Sequence, residues 1–430
     1  MYNTNTNEHP KGLYLLFFLE MWERFSYYGM RAMLVLYMIQ KLMYSTKEAG
    51  TIYGWYTGLV YLTPLIGGYL ADRYLGQRKC ITAGATCMIV GLVLLSFGPK
   101  SLFLLSLFFM IVSNGLIKSN ISSVLGMLYN NNDAKKDSAY TIFYMGINLG
   151  AFLSPLVCGA IAAKYGFEFG FATAGLGVIF GLTIYKLFEN KLLGTNGLKP
   201  IQKMSNSGKD KETSLTIKQK QQITSLIILI LFTIPFWICF EQAGSSLTLF
   251  AEYSTNRNLF GFNIPTGYFQ SLNPVFILIL APLMSLLWEN LRLKNIEPTS
   301  VEKFGIALFL MSVSYIIIAI AGWLSEFKLV SPMWLVAGYF VMTVAELCLS
   351  PIGLSLVSKL APKQFLSLAM GTWFLMCFSG NLFAGLIGGE YENFPHWMLF
   401  GSLATLSFLT FIVMSFFFKK LNKTLEYTEK

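Results

Sequence analysis

Glu20-Met21-Trp22-Glu23-Arg24-Phe25-Ser26-Tyr27-Tyr28-Gly29-Met30-Arg31 lies inside the first long apolar run of the chain, flanked by Leu13-Tyr14-Leu15-Leu16-Phe17-Phe18-Leu19 and Ala32-Met33-Leu34-Val35-Leu36. At about 100° per residue on an α-helix, Glu20, Glu23, Arg24, Tyr27 and Arg31 fall within a sector roughly 100° wide. Two carboxylates and two guanidinium groups therefore share one helix face. Such a face cannot look at lipid, where each ionisable group costs several kcal/mol unless paired or hydrated.

The composition around this stretch is that of a polytopic membrane protein. Of 430 residues, 54% are hydrophobic and only 13% charged, and the mean hydropathy is +0.56. A soluble chain of this length would have nowhere to put so much apolar surface. Apolar runs long enough to span a bilayer occur near residues 12–42, 50–71, 80–99, 101–128, 139–163, 168–188, 222–250, 267–288, 303–323, 332–358, 365–388 and 395–418. They predict an all-α membrane protein of twelve transmembrane helices. Gly and Pro interrupt several runs, as membrane helices tolerate when neighbours satisfy the freed backbone groups.

Placing the N-terminus in the cytoplasm puts most Lys and Arg in cytoplasmic loops; only Lys41, Lys47, Lys100, Lys164, Arg257 and Lys328 fall outside. That asymmetry satisfies the positive-inside rule and puts both termini in the cytoplasm. The net charge of +10 thus reports topology. No single basic face or nucleic-acid-binding motif accompanies it, so no nucleic-acid partner is expected. The polar stretch Met1–Lys11 carries no small-residue cleavage signal, and the first helix is expected to be retained. All six cysteines lie in or beside apolar runs, which argues against structural disulfides. The two histidines, His9 and His396, are far apart, and no metal site is expected from them.

The longest polar stretch, Glu189 to Gln221, separates six spans from six. The expected organisation is an N-terminal bundle over 1–188, a cytoplasmic linker over 189–221 and a C-terminal bundle over 222–430. Two related halves place a substrate site at the midplane between them. The loop Gly67-Gly68-Tyr69-Leu70-Ala71-Asp72-Arg73-Tyr74-Leu75-Gly76-Gln77-Arg78-Lys79 resembles the signature loop of the major facilitator superfamily. Its glycines permit close helix approach, and Asp72, Arg73 and Arg78 are candidates for a latch of charge pairs at the cytoplasmic helix ends.

Further ionisable residues sit in other spans: Lys118 in the fourth, Glu241 in the seventh and Glu346 in the tenth. Glu20-x-x-Glu23-Arg24-Phe25-x-Tyr27-Tyr28-Gly29 resembles the first-helix motif of the proton-dependent oligopeptide transporter family. Phe143-Tyr-Met-Gly-Ile-Asn148-Leu149-Gly150-Ala151 looks like that family's second signature. Lys118, Trp237, Glu241, Asn273 and the segment from Glu346 extend the resemblance over both halves. It implies a major facilitator fold of two six-helix bundles, and a proton-coupled symporter importing di- and tripeptides by alternating access across a bacterial inner membrane. It also implies Arg31 with Glu241 and Lys118 with Glu346 as charge pairs.

A zwitterionic peptide needs cations for its carboxylate, an anion for its ammonium, amide-type partners for its backbone and roomy apolar walls. Arg31 and Lys118 are the candidates for the carboxylate, Glu346 for the ammonium, and Asn148 and Asn273 for the backbone. Tyr27, Tyr61, Trp237 and Trp373 are candidate walls. Asn148 and Asn273 also suit plain interhelical hydrogen bonding, and the aromatics also suit packing or interface belts. Coupling needs a carboxylate whose proton affinity depends on conformation. Burial raises that affinity and a nearby cation lowers it, so Glu20, Glu23 and Arg24, joined by Glu241, are the expected coupling unit.

No GxxxxGK[ST] phosphate loop, HExxH helix or GxSxG elbow between strand and helix occurs, which argues against ATP hydrolysis and hydrolytic chemistry. The driving force is expected to be the proton gradient, without cofactor or metal, in a protein working as a monomer. Alternatives are a facilitator for another small solute, such as nitrate or a drug, and a non-transporting peptide receptor. Nitrate transport would be favoured by loss of the first-helix carboxylates, and both are present.

Overall fold

A computed structural model describes residues 9–130, 135–200, 217–360 and 366–425. The helices are α1 (Lys11–Leu36), α2 (Thr46–Leu70), α3 (Gln77–Phe97), α4 (Phe103–Met127), α5 (Lys135–Tyr165), α6 (Phe167–Leu193), α7 (Ile217–Phe240), α8 (Ser246–Tyr253), α9 (Leu272–Leu293), α10 (Ser300–Leu324), α11 (Met333–Leu360), α12 (Leu366–Gly388) and α13 (His396–Leu425). Apart from α8, each has at least 21 residues, enough to cross a bilayer. A hairpin of two short antiparallel strands, β1 (Asn258–Leu259) and β2 (Phe262–Asn263), follows α8.

Among the described residues, ten segments are both long and apolar enough to span. The two long helices outside that set are α1 and α2. Every stretch of α1 long enough to span contains several of Lys11, Glu20, Glu23, Arg24 and Arg31, and α2 is diluted by Gly, Tyr, Trp and Thr. The seventh expected span is one run of chain but two helices: α7 gives way at Glu241–Gly244 to a 3-10 turn, and α8 starts at Ser246. Of the expected linker over 189–221, residues 201–216 lie outside the described residues, while α6 continues to Leu193 and α7 begins at Ile217.

The chain divides into two compact units, Met1–Tyr37 with Leu62–Lys203, and Met38–Tyr61 with Met204–Lys430. In the first, α1 packs against α5 and α6, and α3 against α4 and α6. Small residues make these contacts possible. A Cβ on Gly150 of α5 would lie 2.3 Å from the Met21 carbonyl oxygen of α1, and one on Gly146 would meet the Phe17 ring. On the α6 side, Gly177 and Gly181 lie against Phe25 and Trp22, and the Ser26 hydroxyl donates to the Ala174 carbonyl at 2.6 Å. Two small-residue faces thus grip α1 along the turns that carry its charges.

In the second unit, α10 packs on α11 and α13, α7 on α12 and α13, and α9 on α11. The start of α2 meets α12 at backbone contact: a Cβ on Gly54 would fall 2.7 Å from the Leu382 carbonyl, and one on Gly385 would fall 2.4 Å from the Gly50 carbonyl. Thr299 and Glu302 cap α10 reciprocally. The Tyr315 hydroxyl donates to the Cys239 carbonyl at 2.6 Å, tying α10 to α7.

Candidate functional site

The first polar centre is built on α1. Arg24 Nε lies 2.8 Å from Glu20 Oε1 and 2.7 Å from Glu23 Oε2. All three residues are at most 4% exposed. Glu20 and Arg24 stand one turn apart at i, i+4, and Glu23, next to Arg24 in sequence and three residues on from Glu20, reaches the same guanidinium nitrogen. The set is short of partners: Glu20 Oε2, Glu23 Oε1 and Arg24 Nη2 make no hydrogen bond among the described residues. Tyr27 is buried, its ring 5.8 Å from the Arg24 guanidinium carbon and in edge contact with Tyr28. Lys118 of α4 and Glu20 both act electrostatically on the Glu23 carboxylate.

The family-like motif of the fifth span lies directly against this cluster. Gly150 reaches the Met21–Phe25 backbone and the Arg24 Cβ, while Asn148, 5% exposed, turns its amide back to the Tyr144 carbonyl at 3.0 Å. Two stretches more than a hundred residues apart in sequence are thus one packing unit. Arg31, farther along α1, is half-buried and engaged with its surroundings.

The second centre belongs to the other unit. The Asn273 amide of α9 donates to Glu346 Oε2 of α11 at 2.7 Å and approaches the Thr343 hydroxyl at 3.2 Å. Glu241, 2% exposed at the end of α7, acts electrostatically on Glu346. The break after α7 is held by Gln242: its Oε1 accepts from Ser246 at 2.6 Å and Ser245 at 3.2 Å, and its Nε2 donates to the Ala384 carbonyl of α12 at 3.1 Å. A helix interrupted beside an ionisable residue leaves backbone polar groups available in the membrane interior.

The aromatic candidates are placed differently. Trp237 is half-buried between Phe236 and Phe240 with its backbone against Gly380, and its indole N–H has no partner among the described residues. Trp373 is 7% exposed, with its ring edge against Gly353. Tyr61 is half-buried near the middle of α2.

The loop candidates form no pair with one another. Arg78, 3% exposed, binds Glu189 Oε2 at 3.2 Å, Asn190 Oδ1 at 2.5 Å and the Gly194 carbonyl at 2.9 Å, stapling α3 to the end of α6. Asp72 accepts from Gln77 at 2.7 Å, and Arg73 donates to the Tyr69 hydroxyl at 2.8 Å. Glu189, Asn190, Gln242 and Thr343 escape the sequence reading. Glu189 opens the polar stretch that reads as linker, and Gln242 is masked by its charged neighbour. Thr343 had a signal: it stands three residues before Glu346 on one helix face. Among the described residues, no group of three His, Cys, Asp or Glu side chains could hold a metal ion.

Helices of this length with ionisable residues inside them and an interrupted span define a multi-pass membrane transporter, and comparison with known proteins narrows the class. The chain matches the model of the POT family over residues 78–191 and 186–398. It is 34% identical to the uncharacterized transporter YclF of Bacillus subtilis (strain 168), over 93% of this chain and 92% of that one. It is 32% identical to the di-/tripeptide transporter of Lactococcus lactis subsp. cremoris, over 87% and 89%. A crystal structure of a peptide transporter POT in complex with sulfate superposes with a TM-score of 0.91 at 31% identity, covering 97% of this chain and 96% of the other. This chain belongs to the POT family, with its all-helical major facilitator fold, and it is a transporter, not an enzyme.

Proposed function

We propose that this protein imports di- and tripeptides together with protons across the bacterial cytoplasmic membrane by alternating access, with both termini in the cytoplasm and two six-helix halves joined through residues 189–221. The observation that carries the reading is the buried Glu20–Arg24–Glu23 cluster clamped against α5. Within the membrane such a cluster is expensive, and it is incompletely hydrogen-bonded, the condition in which a carboxylate exchanges a proton when its pairing changes. Relatives named as peptide transporters in Yersinia enterocolitica and Lactococcus lactis support the substrate class.

In this reading Arg31 and Lys118 hold the peptide carboxylate and Glu346 the ammonium, with Asn148 and Asn273 at the backbone. Tyr27, Tyr61, Trp237 and Trp373 bound the side-chain space. Glu20, Glu23, Arg24 and Glu241 couple the proton, Asp72, Arg73 and Arg78 steady the cytoplasmic helix ends, and a monomer suffices. No cofactor enters the cycle.

The test is uptake of labelled dialanine into proteoliposomes, acidic outside and negative inside, with and without a protonophore. Accumulation that the protonophore abolishes, and that other di- and tripeptides compete while free alanine and nitrate do not, is the expected result. Folded protein that accumulates no peptide would overturn the reading in favour of another solute. Peptide binding without flux would favour a receptor.

A further inference from the structure

A groove of about 820 Å³ opens on the outer surface of the first unit, at the end of the helices richest in Lys and Arg. Its walls are Tyr14, Leu15 and Phe18 of α1 and Ile184, Phe188 and Leu192 of α6. On α1 Tyr14 and Leu15 stand four and three positions before Phe18, and on α6 Ile184, Phe188 and Leu192 recur every fourth position, so they form two facing ridges. Tyr14 and Phe188 are 55% and 45% exposed. Deeper in, Phe18 closes the groove by edge contact with Phe180 at 5.6 Å. From Lys11 to Phe18 the slot runs about 10 Å along the helix, at about 1.5 Å per residue.

The mouth is cationic. Among the described residues, exposed Lys11 and His9 line it, and no carboxylate does. The first turn of α1 carries no acidic residue, and the last turn of α6 adds Lys191 beside Leu192. His9 is fixed by Tyr129 at 2.9 Å and Ser138 at 3.2 Å, one bond to each ring nitrogen. The Lys11 ammonium is therefore the mobile donor, set over an aromatic rim and an apolar slot. A second membrane-facing groove, about 640 Å³ between α10 and α13, is lined from Phe309 to Phe408 without any charged residue.

We infer that the α1–α6 groove is a binding site for an anionic phospholipid, its phosphate at Lys11 and part of an acyl chain between Phe18 and Phe188. Charge complementarity identifies the occupant: a basic rim over an apolar slot between membrane helices matches a lipid with a negative headgroup, whereas the uncharged α10–α13 groove offers nothing to prefer one headgroup over another. The leaflet follows from the topology proposed above, but the binding itself does not depend on it.

Native mass spectrometry of the full-length protein in mild detergent, titrated with phosphatidylglycerol or phosphatidylcholine of identical chains, tests the site without requiring transport. Phosphatidylglycerol should be retained preferentially. Lys11→Glu should lower the retention ratio by more than about fivefold, since it removes the worth of one lysine at an anionic surface and adds a repelling carboxylate, and Lys11→Arg should keep it. Ile184→Trp, which fills the slot at unchanged charge, should also lower phosphatidylglycerol retention, while Thr405→Trp in the uncharged groove should leave the ratio as it was. Equal retention of the two lipids by the wild type, an unchanged ratio in Lys11→Glu, or equal effects of Ile184→Trp and Thr405→Trp would overturn the site. So would a Lys11-dependent site that takes inorganic phosphate and no lipid.

Discussion

On α1 two carboxylates share one guanidinium within a single turn, and two small-residue faces of α5 and α6 hold that turn in place. At the second centre the partners are not local: Glu346 takes its hydrogen bond from an amide on another helix, and Glu241 stands where α7 breaks. The first centre is fixed by covalent spacing on a rigid rod. The second depends on how α7, α9 and α11 sit together, and packed helices have discrete alternative arrangements. In the proposed function the self-contained cluster carries the proton, and the dispersed centre takes part in peptide recognition.

The largest effect is therefore expected at the self-contained cluster. Glu20→Gln and Glu23→Gln should each abolish protonophore-sensitive accumulation of dialanine while leaving counterflow exchange measurable, because exchange need not reset the proton site. Unimpaired concentrative uptake in both variants would remove coupling from α1 and erase the contrast.

Next come one cation and the anion among those proposed to hold the peptide ends. Lys118→Gln and Glu346→Gln should each weaken peptide affinity by about 10- to 100-fold, the loss of one charge-assisted hydrogen bond, read by equilibrium binding. Normal affinity in either variant would take that residue out of the substrate site. The packing side of the contrast is tested by Gly150→Ala. A methyl group 2.3 Å from the Met21 carbonyl must push α5 away from the charged turn, at a cost of about 1–3 kcal/mol for overpacking. Thermal stability and concentrative uptake should fall together, whereas Gly401→Ala, with open space around it, should change neither. Smaller again is Asn273→Ala, which removes a neutral donor from Glu346; a net hydrogen bond of about 0.5–1.5 kcal/mol predicts a loss of about 2- to 10-fold in affinity.

How far each centre could be read in advance follows from the same contrast. Twelve apolar runs and the face shared by Glu20, Glu23, Arg24 and Tyr27 are periodic features of one chain segment, and they were legible. So were the glycines of the fifth-span motif as a pattern, although that they grip the very turn bearing Arg24 needed the packing. The break at Glu241–Gly244 was missed because 222–250 reads as a single span by length, although Glu241-Gln242-Ala243-Gly244-Ser245-Ser246 interrupts it, and the break is held by Gln242 reaching α12. Glu189 reads as linker because hydropathy falls at the end of α6, while in three dimensions it lies within α6 and pairs with Arg78 and Lys186. Partners contributed by a distant helix leave no periodic trace.

The smallest effect concerns a carboxylate outside both centres. Glu390, in the turn between α12 and α13, accepts from Asn393 at 2.6 Å and pairs with Lys47 at 3.2 Å. Those contacts, the Asn393 hydrogen bond foremost, hold its carboxyl below the usual carboxylate range. A lowered pKa means that whatever the contact contributes is present above the ordinary carboxylate range and lost only as pH falls through the lowered value. Between about pH 5 and pH 8 Glu390 therefore stays ionised and cannot report the proton that drives uptake. Glu390→Gln should leave the pH profile of uptake within about 0.3 unit of the wild type, since an exposed pair contributes little and is screened by salt. A larger shift would mean that proton sensing reaches beyond the buried cluster, and the division of labour between the two centres would then have to include this outer turn.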